Sequence, residues 1–249
     1  MPRTSRVLSS SGIYHVMARG IDKENIFNNT DDFLKFLSYI GKSKEKEEFK
    51  LYAYCLMPNH IHLLLQSHQD SLGKALQRII TPYAMYFNKV YKRRGHLFQN
   101  RYKSEPVQDD SYFLTALRYI HQNPVKAGLV KKVSYYPWSS YQEYEKKPYL
   151  IDPKLAIGMI GNKWMLLTHL KKIENDHCLD IETREHYTDK ELLQFINSFV
   201  APDKFQEGTY EERKQWIQKI RENSMASNRQ IARVLHLGKS TINRLLKED

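Results

Sequence analysis

Two histidines with one apolar residue between them open a strand-like run in Met57-Pro58-Asn59-His60-Ile61-His62-Leu63-Leu64-Leu65. Successive strand side chains point to opposite faces, so His60 and His62 share one face while Ile61 and Leu63 take the other. Paired imidazoles are a two-point grip on a divalent cation. A third polar group would complete the protein's share of such a site, leaving open positions for phosphate oxygens. An isolated His-x-His is also common on solvated sheet faces. What gives this one weight is a second block about sixty residues on, Arg118-Tyr119-Ile120-His121-Gln122-Asn123-Pro124. Beside a phosphodiester polarised by the cation, Tyr119 would be the nucleophile. Its phenol, with a pKa of about 10, needs the phosphate held in line and its own proton drawn off.

Charge supports a polyanionic partner. The chain of 249 residues carries a net charge of +11, and the excess is uneven. Residues 1–149 hold 23 Lys/Arg against 13 Asp/Glu, residues 150–223 hold 11 against 13, and residues 224–249 hold 5 against 2. The ends are basic and the middle is not, as expected if nucleic acid is met at two places. The 17 tyrosines suit a surface on which bases stack. Arg19, Arg101 and Lys103 are candidate phosphate contacts by charge and strand position. With only two cysteines, Cys55 and Cys178, a disulfide framework and a cysteine-built zinc site are both excluded, which predicts a reducing compartment. No apolar run reaches spanning length and Met1 to Ser11 is polar and basic, so the expected location is cytoplasmic, with no membrane partner.

The elements that must position these groups follow from pattern. Gly12 to Ala18 alternates and is rich in β formers, so it should be a strand ending at Arg19-Gly20. Thr30 or Asp31 can cap a helix carried by Phe33, Leu34, Leu37 and Ile40. A strand from Phe49 to Met57, a turn at Pro58-Asn59 and a returning strand from His60 to Gln66 make a hairpin. A helix starts at Ser71 and ends near Val90. A basic loop precedes a strand expected over Leu97 to Val107, with Arg101 and Lys103 on one face. The order β-α-β-β-α-β is the ferredoxin-like plan of an α+β fold, an antiparallel sheet with two helices on one face and the other face free for work.

Asp109 or Asp110 caps a third helix running to about Gln122, with Phe113, Leu117 and Ile120 as its apolar stripe. Tyr119 lies off that stripe, on a face shared with Thr115, Ala116 and Asn123. Pro124 should end or interrupt the helix, and Pro124 to Gly128 reads as one more turn closed by glycine. The aromatic stretch from Tyr135 to Leu150 is a strap closing a first domain over residues 1–149. Residues 150–223 read as a helical connector, with capping boxes at Thr188-x-x-Glu191 and Thr209-x-x-Glu212. Residues 224–249 have helix-turn-helix spacing. Ala232 allows a close crossing, Leu235, Leu237, Ile242 and Leu245 fix the angle, and Lys239, Ser240, Thr241, Asn243 and Arg244 would face a major groove of duplex DNA.

Met57-Pro58-Asn59-His60-Ile61-His62, with Tyr119-Ile120-His121-Gln122-Asn123-Pro124-Val125 and Pro137-Trp138-Ser139-Ser140, resembles the IS200-like single-tyrosine transposases, and most closely their REP-associated branch. The similarity covers roughly residues 10–145. It implies a metal-dependent endonuclease of the histidine-hydrophobe-histidine type, acting on single-stranded or hairpin DNA with Mg²⁺ or Mn²⁺. His60 and His62 match the metal-binding histidines and Tyr119 the nucleophile, which joins to the 5′ phosphate and leaves a free 3′ hydroxyl. Insertion-sequence members carry a glutamine four residues after the tyrosine. Asn123 stands there in this chain, as a third ligand or as the cap of the turn at Pro124. The resemblance admits a monomer or a homodimer. A DNA-binding regulator with an idle site is the competing class, disfavoured because His60, His62 and Tyr119 are all intact.

Overall fold

The sheet is built from the strands β1 (Ile13–Arg19), β2 (Lys50–Met57) and β3 (His60–Gln66), and a short edge strand, β4 (Lys103–Pro106), completes it. This is a computed structural model, and it describes residues 9–47, 49–68, 71–174, 178, 187–200, 202–224 and 226–246. The strands lie in the order β2-β3-β1-β4 and every pairing is antiparallel. Arg19 stands opposite His60 and Met17 opposite His62, while on the other side of β1 Met17 stands opposite Lys103 and His15 opposite Glu105. Directly opposed residues share a face, so His15, Met17, Arg19, His60, His62 and Lys103 are all on one face of the sheet.

Helices α1 (Thr30–Glu47) and α2 (Leu72–Val90) pack on each other and join Val16, Ile61 and Leu63 in the core through Phe36, Ile40, Leu76, Ile79 and Tyr83. The cap of α1 is Asn29, one residue ahead of the expected Thr30 or Asp31. Its Oδ1 accepts from the Asp32 amide (3.1 Å), and the Asp32 carboxylate accepts from the Asn28 and Asn29 amides at 2.8 and 3.3 Å. That reciprocal arrangement satisfies helix-end donors which a threonine cap alone would leave open.

Three expectations are corrected. The second face of the sheet is not free, because α3 (Asp110–Lys126) lies over it, its Phe113 ring 5.2 Å from that of Tyr52 and its Tyr119 ring 6.0 Å from His15. Pro124 does not end α3, which continues to Lys126. A proline removes one amide donor, and here residues 116–124 are all buried, so packing holds the turn that follows. Gly128, at φ 70°, then supplies the left-handed step on which the segment leaves the helix. Last, the strand expected over 97–107 is only β4. Residues 97–99 instead tie to the end of β1, through bonds from the Ile21 amide to Leu97 O and from the Gln99 amide to Arg19 O, both 2.9 Å. Arg101 falls in a bend outside the strand and is exposed.

The strap expected after Tyr135 pairs along the outer edge of β2. Leu56 N donates to Trp138 O (2.9 Å), Ser140 N to Tyr54 O (3.0 Å), and Tyr136 Oη to Leu56 O (2.7 Å), while Trp138 stacks on Phe33. An edge that could pair with another chain is thereby covered. Short helices α4 (Tyr141–Glu145), α5 (Lys154–Ile160) and α6 (Lys163–Lys171) follow.

Packing divides the chain into two units, Met1–Leu179 and Asp180–Asp249, which differ from the boundaries drawn at 149 and 223. The reason is visible on α3. Gln122 Nε2 donates to Leu170 O (2.7 Å), Arg118 pairs with Glu174 (2.7 Å), and Ala156, Leu166 and Leu170 are buried in the first core. The second unit contains α7 (Asp189–Asn197), α8 (Pro202–Glu207), α9 (Tyr210–Asn223), α10 (Asn228–Val234) and α11 (Lys239–Leu245). Both predicted capping boxes are present, at Thr188 with Glu191 and at Thr209 with Glu212. Leu192, Ile196, Ile217 and Ile220 share one core with Ile231, Ile242 and Leu245, so the tail folds with the last connector helices. Among the described residues no helix is long and apolar enough to cross a membrane.

Candidate active site

The turn at Pro58-Asn59 is gripped from outside. Pro58 O accepts from the Ile26 and Phe27 amides (2.7 and 3.0 Å) and Asn59 O accepts from the Gly20 amide (2.9 Å). Gly20 must be glycine, because a Cβ there would run into the Glu24 carbonyl oxygen and the Ile26 side chain. The segment after β1 therefore fixes where β3 begins, and with it His60.

His60 and His62 point from the same face with ring centroids 5.1 Å apart. His60 Nδ1 lies 2.7 Å from Asn59 Oδ1, which can only accept, so Nδ1 carries the proton and Nε2 the lone pair. His62 Nδ1 lies 3.0 Å from His15 Nε2. His62 Nε2 is buried and, among the described residues, has no hydrogen-bond partner. Burial first, then the neighbouring His60 and His15, hold His62 well below the usual imidazole range, and burial pushes His15 down to about 3. Both rings are therefore neutral at physiological pH, the form in which imidazole ligates metals. The described residues contain no group of three His, Cys, Asp or Glu that could hold a metal ion.

The ring of Tyr119 packs edge-on to His62, with centroids 5.8 Å apart, and is 3% exposed. Asn123 follows one turn later on the same side of α3. Its Nδ2 donates to Tyr119 O (3.0 Å), which turns Oδ1 away from the helix backbone. Asn123 is thus engaged inside α3 and does not cap a turn at Pro124. Lys126, two turns beyond Tyr119, places Nζ 4.8 Å from the centre of its ring. That residue was not singled out from the sequence, because a turn expected to be broken from the helix at Pro124 need not carry Lys126 back over Tyr119. Arg19 is half-buried opposite His60, and Lys103 is exposed on β4 opposite Met17, both on the histidine face, whereas Arg101 is not on the sheet.

His121 serves the scaffold. Its Nδ1 donates to Leu117 O (2.8 Å), leaving Nε2 to accept from Ser140 Oγ (2.8 Å), so it joins α3 to the strap on β2. This explains the pairing of the tyrosine block with Pro137-Trp138-Ser139-Ser140. Burial pushes His121 down to about 4. Folded-state values of about 3 for His15 and about 4 for His121 lie below the unfolded value of about 6.5, so the unfolded chain takes up protons first. Stability is full above pH 6.5 and is lost as pH falls from there toward 3. The thermal midpoint of the first unit is expected to drop by on the order of 10 °C between about pH 7 and pH 4.5. Calorimetry showing a flat profile would contradict the burial of these rings.

In the second unit, Ala232, Leu235, Ile242 and Leu245 are buried and Leu237 is partly so. Leu237 N donates to Ala232 O (2.8 Å) across the turn. Ser240, Asn243 and Arg244 are exposed and Thr241 is half-buried. Asn243 Oδ1 accepts from Asn228 Nδ2 (2.9 Å). Lys239 opens α11, and its side chain lies outside what the structure describes.

The family described as "Transposase IS200 like" matches residues 9–123. A REP-associated tyrosine transposase of Haemophilus influenzae is 32% identical over 124 residues, spanning 45% of this chain and 70% of that protein. Among solved structures, a REP-associated tyrosine transposase bound to a REP hairpin superposes with a TM-score of 0.53 at 17% identity, covering 72% of this chain and 96% of the other, a likeness of fold. The histidine pair, the tyrosine helix laid over it and these matches together make the chain a member of the IS200-like transposase family, in its REP-associated tyrosine branch.

Proposed function

We propose that this transposase cleaves and rejoins single-stranded DNA at hairpin-forming repeats through a 5′-phosphotyrosine intermediate. The single observation that carries the reading is the placement of Tyr119 against His62 on the sheet face that also bears His60 and Arg19. His60 Nε2, His62 Nε2 and Asn123 Oδ1 would hold a divalent cation. Two nitrogens and one amide oxygen suit Mn²⁺ better than Mg²⁺. When bound, the cation supplies Lewis-acid polarisation of the scissile phosphate. Arg19 and Lys103 would position that phosphate, and the Lys126 ammonium favours the negative charge that develops on Tyr119 Oη as its proton leaves. Oη bonds to phosphorus, the bond to the 3′ oxygen breaks, and that oxygen leaves with the electron pair and takes up a proton. The covalent bond conserves the energy needed to rejoin strands.

The strand order β2-β3-β1-β4 supports a ferredoxin-like reading of the sheet and its first two helices. The α10–α11 pair supports a helix-turn-helix that reads duplex DNA, with Ser240, Thr241, Asn243, Arg244 and Lys239 toward the groove. Because Ile217 and Ile220 share a core with α10 and α11, cutting the chain after Asn223 would unfold the second unit and confuse the result. Arg244→Ala in the full chain is the cleaner variant. Its duplex binding is expected to weaken, with the salt slope reduced by about one, while hairpin cleavage is unchanged. Loss of cleavage as well would tie the tail to the active site.

The central test uses 5′- and 3′-labelled hairpin oligonucleotides with Mn²⁺. A protein-DNA adduct carrying only the label 3′ of the cut is the expected product. Tight binding with no adduct on any hairpin substrate would favour the regulator with an idle site.

A further inference from the structure

The histidine face carries a third imidazole that the reading above leaves without a task. His15 is fully buried on β1, two residues from Met17, and its ring lies behind that of His62 with centroids 5.2 Å apart. It is not placed as another ligand side by side with the pair. Its Nε2 is spent on His62 Nδ1, at 3.0 Å.

Two neutral imidazoles in such contact share one proton between the facing nitrogens, and the choice matters. If His15 donates, His62 must carry its own proton on Nε2 and cannot offer a lone pair there. If His62 donates, its Nε2 is a ligand and His15 carries its proton on Nδ1. For His60 the matter is settled by Asn59 Oδ1, which can only accept. For His62 it falls to His15. The Glu105 carboxylate, opposite His15 on β4, accepts from Tyr112 Oη, and His15 Nδ1 is buried with no hydrogen-bond partner among the described residues.

We propose that His15 is the positioning residue that accepts the His62 Nδ1 proton, and so orients His62 and presents its Nε2 lone pair to a divalent cation. The inference rests on the metal reading of His60 and His62 and adds the part that sets ring orientation and tautomer. Outer partners of this kind typically change metal affinity by about 10- to 100-fold.

The test is Mn²⁺ binding to the full-length protein without DNA, measured by calorimetry and by the resonance of free Mn²⁺. His15→Leu removes the acceptor and is expected to weaken Mn²⁺ binding by roughly 10- to 100-fold. His15→Gln, whose Oε1 can take the place of Nε2 as acceptor, is expected to stay within a few-fold of wild type. Thermal unfolding of each variant checks that both are folded. Should His15→Leu bind Mn²⁺ as wild type does, the inference is overturned while the metal reading stands. A Gln variant as weak as the Leu variant would also overturn it, since His15 would then act as a ligand or by packing. If wild type binds no Mn²⁺, the metal reading fails and takes the inference with it.

Discussion

Tyr119→Phe is expected to abolish the covalent protein-DNA adduct and to slow strand cleavage by at least about 10³-fold, the scale on which loss of a nucleophile is felt. The substitution removes one oxygen and leaves the ring, so the edge contacts with His62 and His15 at 5.8 and 6.0 Å and the Lys126 contact at 4.8 Å persist. Hairpin binding should therefore stay within a few-fold of wild type, and the thermal midpoint within a few degrees. Separating adduct formation on a denaturing gel from binding measured by fluorescence anisotropy makes the outcome specific. A Phe variant that still forms the adduct would assign the nucleophile to another residue.

His62→Leu is expected to eliminate Mn²⁺-dependent cleavage, by on the order of 10³-fold, and added Mn²⁺ should not restore it. His62 is fully buried, so no water can take the position of its Nε2. His60 is 7% exposed at the end of the turn, and His60→Ala should regain part of its activity at millimolar Mn²⁺, because solvent can supply a substitute ligand there. Equal rescue of the two variants would mean that the buried nitrogen is not the tighter half of the grip. Cleavage by His62→Leu at the wild-type rate would move the metal site elsewhere.

Much of this site could be read from residue types alone. A two-residue period places His60 and His62 on one face, and an aspartate ahead of an apolar 3.6-residue pattern starts α3 at the position observed, capped by Asp109. Helical spacing also put Asn123 on the Tyr119 side. What local rules could not give was the end of α3. Pro124 is a helix breaker by propensity, yet burial from the sheet, the strap and α6 outweighs one missing hydrogen bond, and the extra turn brings Lys126 to Tyr119. The strand over 97–107 failed for a related reason. Its apolar anchors, Leu97 and Phe98, are buried beside the end of β1 and not within the edge pairing.

The sequence by itself determined the chemistry available to this protein: two imidazoles on one strand face, a phenol off the apolar stripe of a helix, an amide one turn later, and basic termini. These follow from side-chain type and from the two backbone periods, which are local properties. Only the tertiary structure decided which face α3 covers, and so that Tyr119 meets His62, that Lys126 lies over the phenol, and that His15 stands behind the metal-facing ring. Those contacts join residues 47 to 104 positions apart along the chain or depend on a turn that packing sustains. Strand register and helix packing set them, and neither is encoded in any short window of the chain.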